Sequence, residues 1–310
     1  MILTVTLNPA VDEEYVVPEF RPGGWFRASQ VNRSPGGKGI NVSIILKQMG
    51  VDSVAMGFLG GYNGGYIRDQ LAKLGISTSF VHLRGETRTT TYVVDEIGRV
   101  ETGIVEAGPY VPESALARFL KAYYRMLGRC SSVMIGGSLP PGVPQDIYRD
   151  LVHMASVRGK DVFVDASSGA LLSAVDGGPK VVKVDHRFMS MVMDVPLLSL
   201  DNLKSVAAKL HDEGVPWVVT SYRGYGDLFS TPEGVYIGEV PKSRVVSLFG
   251  AGDALMAGLV LAFQEGMGTE DSIRFAMGCA LEDSLHLEKG VQSREAVDEA
   301  ARNVKVTRVG

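Results

Sequence analysis

The sequence predicts an α/β protein built on one mostly parallel sheet, a three-layer α/β/α arrangement with helices on both faces and a small β-sheet lid. Three observations predict it. From Pro112 onward, apolar runs of strand length alternate with runs of helix length, and strands joined by crossover helices pair in parallel and need cover on both faces. The chain also opens on a β-branched apolar strand, Ile2 to Leu7, that must stop at Asn8-Pro9. Two early stretches, about 11–34 and 86–107, have strand character but are too polar for a core. Together they are expected to form a lid over the C-terminal edge of the main sheet, where open α/β sheets bind ligands. Residues 1–310 then form a single domain carrying these two inserts.

Each element has its own reason. Val11 to Asn32 mixes Tyr15, Val16, Val17, Phe20, Trp25 and Phe26 with charges around Pro22-Gly23-Gly24, which suits two half-exposed strands about a turn. Ile40 to Met49 is an amphipathic helix closed by Gly50, and Gly64 to Leu74 a helix stopped by Gly75, with a strand at 51–58 between them. In the second insert, Thr89 to Val94 alternates and Glu96-Ile97-Gly98 makes a turn. Then follow a helix to Leu127, strand 131–136, helix 145–157, strand 161–165, strand 180–183, helix 201–213 and strand 215–220. Two short strands near 226–239 and helices at 250–265, 269–285 and 293–302 complete the chain.

Composition removes several function classes. With 31 Lys and Arg against 35 Asp and Glu, the net charge of −4 leaves no basic footprint for nucleic acid or a membrane surface. Any anionic ligand must be held by a local cation cluster. The longest apolar run, Ala254 to Phe263, is too short to span a bilayer. Cys130 and Cys279 make no disulfide framework and fit a reducing compartment. The N-terminus lacks the basic start of a signal peptide, so a cytoplasmic location is expected. The five histidines show no metal-ligand spacing.

The chemistry centres on Ser247 to Gly258, where Gly250-Ala251-Gly252-Asp253 precedes an apolar helix-forming run. Glycines let the backbone turn tightly against a bound group, and a helix start offers N–H groups and partial positive charge to a phosphate. A carboxylate beside an anion is unfavourable unless it has chemical work, such as taking the proton of an attacking hydroxyl. Asp253 reads as such a base; taken without the rest of the chain, it reads more simply as a helix cap. Gly36-Gly37-Lys38-Gly39 is not a nucleotide P-loop, because Gly39 follows the lysine where Ser or Thr would stand. Its glycines suit a small polyhydroxylated ligand, with Lys38 and Asn41 supplying a cation and an amide; a plain helix start reads as well. Asp12 follows the first strand, where a lone carboxylate binds hydroxyls or simply faces solvent. Arg27 and Arg88 fall on the lid and suit bidentate grip of a phosphate, or are solvated surface groups. Ser138, in Gly136-Gly137-Ser138-Leu139-Pro140-Pro141-Gly142, ends a strand at a turn that presents its hydroxyl.

In order, Leu7-Asn8-Pro9-Ala10, Asp12, Pro35-Gly36-Gly37-Lys38-Gly39-Ile40-Asn41-Val42, Gly85-Glu86-Thr87-Arg88, Gly137-Ser138-Leu139-Pro140-Pro141-Gly142 and Gly250-Ala251-Gly252-Asp253 resemble the ribokinase-like (PfkB) sugar kinases over essentially the whole chain. The nearest resemblance is to members that act on phosphorylated ketohexoses. It implies ATP with Mg²⁺ and a phosphorylated ketohexose as acceptor, most simply fructose 1-phosphate going to fructose 1,6-bisphosphate. Tagatose 6-phosphate or fructose 6-phosphate is the alternative acceptor, then an unphosphorylated sugar or nucleoside, for which Arg27 and Arg88 would not converge on the site. A non-catalytic sugar-phosphate-binding protein is the rival of another class. The resemblance implies Asp253 as base and the N–H groups of Gly250, Ala251 and Gly252 as anion hole. Asp12, Gly37, Lys38 and Asn41 would hold sugar hydroxyls, and Arg27, Arg88 and Ser138 the sugar's phosphate. Lys183, Asp185, Ser221, Gly224 and Gly226 fall on the nucleotide side. Mg²⁺ would arrive on ATP, with Asp185 meeting it through water.

Two segments depart from the family pattern. Lys183-Val184-Asp185-His186-Arg187-Phe188 stands where the family has Lys-Pro-Asn-x-x-Glu, so Asp185 and Phe188 replace Asn and Glu. Ser221-Tyr222-Arg223-Gly224-Tyr225-Gly226 keeps the nucleotide-side glycines but adds Arg223 and Tyr225. A homodimer through the lids is expected, because one lid face carries Val16, Phe20, Tyr92 and Val94 and needs a cover.

Overall fold

The computed structural model describes residues 1–98, 100–166, 168–184, 199–222, 226–241, 245–286 and 288–310. Strand β1 (Ile2–Thr6) is buried along its whole length, because its alternate side chains enter two different cores. Leu3 and Val5 join one hydrophobic cluster and Ile2 another. Beside β1 lie β4 (Ser53–Gly60) and β5 (Ser77–Leu83) on one side. On the other lie β8 (Ser132–Gly137), β9 (Asp161–Ala166), β10 (Val181–Val184) and β11 (Trp217–Tyr222). These strands all pair in parallel. Three antiparallel strands, β12 (Gly226–Thr231), β13 (Gly234–Glu239) and β14 (Lys305–Arg308), extend the β11 side to give a ten-stranded sheet among the described residues.

Helices cover both faces. Helices α3 (Glu113–Leu127), α4 (Ile147–Ser156), α5 (Ser168–Val175) and α6 (Leu200–Asp212) pack on the Leu3 side. On the other face lie α1 (Lys38–Gln48), α2 (Gly61–Lys73), α7 (Ala251–Gln264), α8 (Thr269–Asp283) and α9 (Arg294–Ala301). The result is a layered α/β sheet with helices on both faces and a separate small sheet.

Helix α7 sets the position of the site. It is apolar all round because it is sandwiched between the sheet and α8, with every residue from Asp253 to Ala262 buried. Burying each large side chain, such as Leu255, Leu259 and Leu261, contributes about 1.5–3 kcal/mol. At Gly258 a Cβ would come within 2.7 Å of Ala276 Cα, so the two helices meet backbone to backbone. The start of α7 is therefore held by its core.

The two polar inserts pair with each other. Their four strands run β3 (Gln30–Gly36), β2 (Ala10–Val17), β6 (Arg88–Asp95), β7 (Val100–Val105), with β2 and β6 parallel. Strand β5, helix α5 and strand β14 were not anticipated from the sequence. β5 (Ser-Thr-Ser-Phe-Val-His-Leu) and β14 are edge strands with mostly part-exposed side chains, so neither has an apolar run to announce it. Helix α2 begins at Gly61, earlier than the predicted Gly64, because the Glu86 carboxylate accepts the Tyr62 and Asn63 N–H groups at 3.2 and 2.6 Å. Among the described residues, no helix is long and apolar enough to cross a membrane.

Candidate active site

The carboxyl ends of the parallel strands converge under the lid, and the turn into α7 lies there. Gly250 adopts φ +104°, the left-handed region, and a Cβ at this position would lie 2.9 Å from Asp283 Oδ2. Only glycine suits both conditions. Asp253 then projects from the first turn of α7, 8 % exposed. The Asn41 amide donates to its Oδ2 at 2.7 Å, and Lys38 Nζ lies 3.7 Å from its Oδ1. Burial pushes the Asp253 carboxyl above the usual carboxylate range; Lys38 and the Asn41 hydrogen bond pull it back, and Asp165 pushes it further up. Such a carboxyl is a stronger base than an exposed aspartate.

Behind Asp253 two lysines meet on one acid. Lys38 Nζ donates to Asp165 Oδ2 at 2.9 Å, and Lys183 Nζ lies 3.8 Å from the same oxygen. Burial alone would raise the Asp165 carboxyl, but the Lys183 and Lys38 ammonium groups together hold it below its ordinary value. A Cβ at Gly252 would stand 3.1 Å from Lys183 Nζ, so this cation sits directly against the helix start. The cluster supplies positive charge where the overall charge supplies none.

Two cavities meet at the turn. On the lid side a cleft of about 350 Å³ is lined by Asn8, Asp12, Gly37, Lys38, Asn41, Arg88, Tyr92, Ser138, Gly250, Gly252 and Asp253, among others. On the far side a cavity of about 420 Å³ is lined by Lys183, Ser221, Gly226, Asp227, Ala251, Gly252 and their neighbours. Leu248, Phe249 and Gly252 border both. In the second cavity burial raises the Asp227 carboxyl, against the pull of Lys183 and a hydrogen bond from Ser221.

The glycines of 36–39 are required by the protein itself. A Cβ on Gly36 would overlap the Asp12 carboxylate, and one on Gly37, which has φ +113°, would meet Thr6 Cγ2 at 2.6 Å. Asp12 is 7 % exposed and pairs with Lys289. The Gly85-Glu86-Thr87-Arg88 segment divides its work: Glu86 caps α2, Thr87 Oγ1 accepts the Gly60 N–H at 2.9 Å, and Arg88 faces the cleft. Arg88 donates from Nε to Asn8 O at 3.1 Å and from Nη1 to Glu106 O at 3.3 Å. Burial pulls its guanidinium below its usual value, and Asp12 opposes that. Asn8 also donates to Ser138 Oγ at 3.2 Å.

The lid touches the turn. The Tyr92 and Phe249 rings lie 3.8 Å apart between centroids, and Ser247 Oγ donates to Glu101 Oε1 at 2.8 Å. Most residues singled out in the sequence thus come together in or beside the two cavities. Arg27 does not. It is exposed in the loop between β2 and β3, and Val17, where β2 ends, is already five residues beyond Asp12, roughly 16 Å at 3.3 Å per residue. Asp185 and Gly224 lie outside the described residues, as do His186, Arg187, Phe188, Arg223 and Tyr225. Val16 is buried and Tyr92 turns inward to Phe249, while Trp25, Val31, Ile97, Val100, Ile104 and Val105 of the lid are exposed.

Asp165, Asp283 and Lys289 lie at the site and were not singled out by the sequence reading, which took Tyr92 only as part of the apolar lid face. Asp165 had a signal, a carboxylate closing the apolar strand Val162-Phe163-Val164. Lys289 and Asp283 had none, because their partners are distant in the chain.

Residues 6–282 match the family described as pfkB family carbohydrate kinase. A Bacillus subtilis 1-phosphofructokinase is 33% identical over 309 residues, covering 100% of both chains. A solved Thermotoga maritima structure, described as a possible 1-phosphofructokinase, superimposes with TM-score 0.92 at 36% identity, again over 100% of both chains. Escherichia coli phosphofructokinase-2, solved in complex with potassium, gives TM-score 0.86 at 25% identity over 97% of this chain and 98% of that one. With a sheet edge, a carboxylate and a cation cluster arranged as described and these similarities along its whole length, the chain belongs to the pfkB family of carbohydrate kinases.

Proposed function

We propose that the protein is an ATP-dependent 1-phosphofructokinase that transfers the γ-phosphoryl group of ATP to the 6-hydroxyl of fructose 1-phosphate. The observation that carries this reading is the pair of cavities sharing one helix start, with Asp253 on the lid side and Lys183 on the other. The names of the Bacillus and Thermotoga relatives support the choice of acceptor. In this reading the sugar occupies the lid-side cleft. Asp12, Gly37, Lys38 and Asn41 hold its hydroxyls, while Arg88 and Ser138 hold its phosphate. Lys183, Ser221 and Gly226 line the nucleotide side, with Gly224 and Asp185 assigned there from the sequence alone.

Asp253 takes the proton of the 6-hydroxyl as that oxygen forms its bond to the γ-phosphorus. The bond from phosphorus to the bridging oxygen breaks, and its electron pair leaves with ADP. The N–H groups of Gly250, Ala251 and Gly252, at the start of α7, meet the charge on the transferred group. Lys38 lies close enough to Asp253 to favour its ionised form before the transfer. Among the described residues no group of three or more His, Cys, Asp or Glu is arranged to hold a metal, and Asp165 is already neutralised by two lysines. Mg²⁺ bound to the nucleotide phosphates would offset charge in a loose transition state, with Asp185, assigned from the sequence alone, meeting it through water. The Tyr92–Phe249 and Glu101–Ser247 contacts would keep the lid against the turn and water out.

Arg88 in the cleft favours a phosphorylated acceptor over a neutral sugar. A coupled assay of fructose 1-phosphate, fructose 6-phosphate, tagatose 6-phosphate, fructose and a nucleoside, each with ATP, tests the reading. Fructose 1-phosphate should give the highest kcat/KM; preference for an unphosphorylated acceptor, or no turnover of any, would refute it. Both cysteines are buried free thiols, in keeping with the cytoplasmic location we assign. We also assign a homodimer contact to the exposed Val31, Val100, Ile104 and Val105 of the lid. Ile104→Glu should then lower the sedimentation coefficient, and an unchanged value would remove this contact.

A further inference from the structure

We propose that Lys289 is a positioning residue of the acceptor site, acting through Asp12. The inference rests on the reading of the lid-side cleft as a sugar-phosphate site. Lys289 Nζ donates to Asp12 Oδ2, and the two side chains are only 16 % and 8 % exposed. The same ammonium stands 4.1 Å from the centroid of the Phe249 ring and 5.6 Å from that of Tyr92. It is thus caged between the lid, the turn into α7 and the carboxylate.

The loop that presents Lys289 is itself held. Gly290 has φ +109°, its N–H donates to Asp283 Oδ1 at 2.6 Å, and Val291 N–H donates to Gln48 Oε1 at 3.0 Å. Asp283 in turn packs against Gly250. One loop therefore fixes the carboxylate that meets the sugar and backs the turn that meets the transferred group.

The charge balance explains why a cation is needed there. A sugar phosphate entering this cleft brings its own negative charge toward Asp12 and Asp253. Lys38 is engaged with Asp165 as well as Asp253, and Arg88 sits on the lid side. Without Lys289, Asp12 would be a buried carboxylate facing an anionic ligand with one compensating charge fewer. With Lys289 in place, Oδ2 is tied and the carboxylate is oriented for a sugar hydroxyl. Lys289 itself need not touch the substrate.

The test compares wild type, Lys289→Met, Lys289→Arg, Asp12→Asn and the Asp12→Asn/Lys289→Met double variant in steady-state kinetics, with melting temperatures of all five. Lys289→Met should raise KM for fructose 1-phosphate by about tenfold or more, the scale for removing one partner of a buried charge pair. KM for ATP should stay within about twofold, and Lys289→Arg should recover most of the loss. In the Asp12→Asn background the same change should add less than about threefold, because the group it acts through is gone. An unchanged sugar KM, equal effects on both substrates, failure of Lys289→Arg to recover, or full additivity with Asp12→Asn would each overturn the proposal. If Lys289→Met does not fold, Lys289→Gln, which keeps a polar side chain without the charge, takes its place in every comparison. A wild-type enzyme that turns over no hexose phosphate fails the functional reading first, and takes this proposal with it.

Discussion

Replacing Asp253 by Asn tests the core of the mechanism with little change of shape. The carboxylate accepts from Asn41 at 2.7 Å and lies 3.7 Å from Lys38. An Asn side chain can keep the first contact by pointing its oxygen at Asn41, which leaves its NH₂ toward Lys38. That donor–donor contact is unfavourable but not close, and losing a buried negative charge offsets it. The melting temperature should therefore hold or rise. The amide cannot take a proton, so kcat should fall about 10²–10⁴-fold, equivalent to about 2.7–5.5 kcal/mol of barrier. KM for the sugar should change little, because Asp12, Arg88 and Asn41 remain. A coupled assay for ADP release with fructose 1-phosphate reads the loss directly. Burial raises the Asp253 carboxyl, so wild-type kcat should decline on its acid side at a pH above that of an ordinary aspartate, and the variant should lack that limb. A variant with near-normal kcat would refute the assignment of Asp253 as base.

Other outcomes follow from the same geometry. Arg88→Ala should raise KM for fructose 1-phosphate well above any change in KM for ATP, and equal changes would remove Arg88 from the acceptor site. Asp283 is buried against Gly250, and burial pushes its carboxyl up to about 7. Its folded pKa lies above its unfolded one, so its contribution to stability is fully present below about pH 4 and is lost as pH rises through about 7, up to about 4 kcal/mol. Asp283→Asn keeps an oxygen for the Gly290 N–H and should be more stable than wild type at pH 8.5 with little difference at pH 4. Thermal melts at both values check it; equal gains at the two would refute the titration.

Much of the fold was readable from local pattern. The β1 strand, the alternation after Pro112 and the polar inserts each carry their own signal, since a strand buried on both faces must be apolar throughout and a lid strand cannot be. What escaped lay at edges: β5 and β14 are half-exposed, and no local pattern separates such a strand from a loop. At the site, Gly250 to Asp253 could be read because a positive-φ glycine ahead of an apolar helix is a local requirement. Arg27 stands away from the cleft for the opposite reason. Its place on the lid was foreseen, but the distance along β2 that carries it away from the cleft depends on how the strand is oriented.

The sequence by itself determined the layered α/β sheet, the small second sheet and the glycine-led helix start with its carboxylate, because hydrophobic periodicity and glycine's conformational range act over a few residues. Tertiary structure alone decided which charges meet. Lys38 and Lys183 converge on Asp165, Lys289 reaches Asp12 across 277 positions of sequence, and Asp283 backs Gly250. The reason is physical. A buried charge is tolerated only beside its partner, and the partner is supplied by strands and loops that chain order separates and sheet packing brings together.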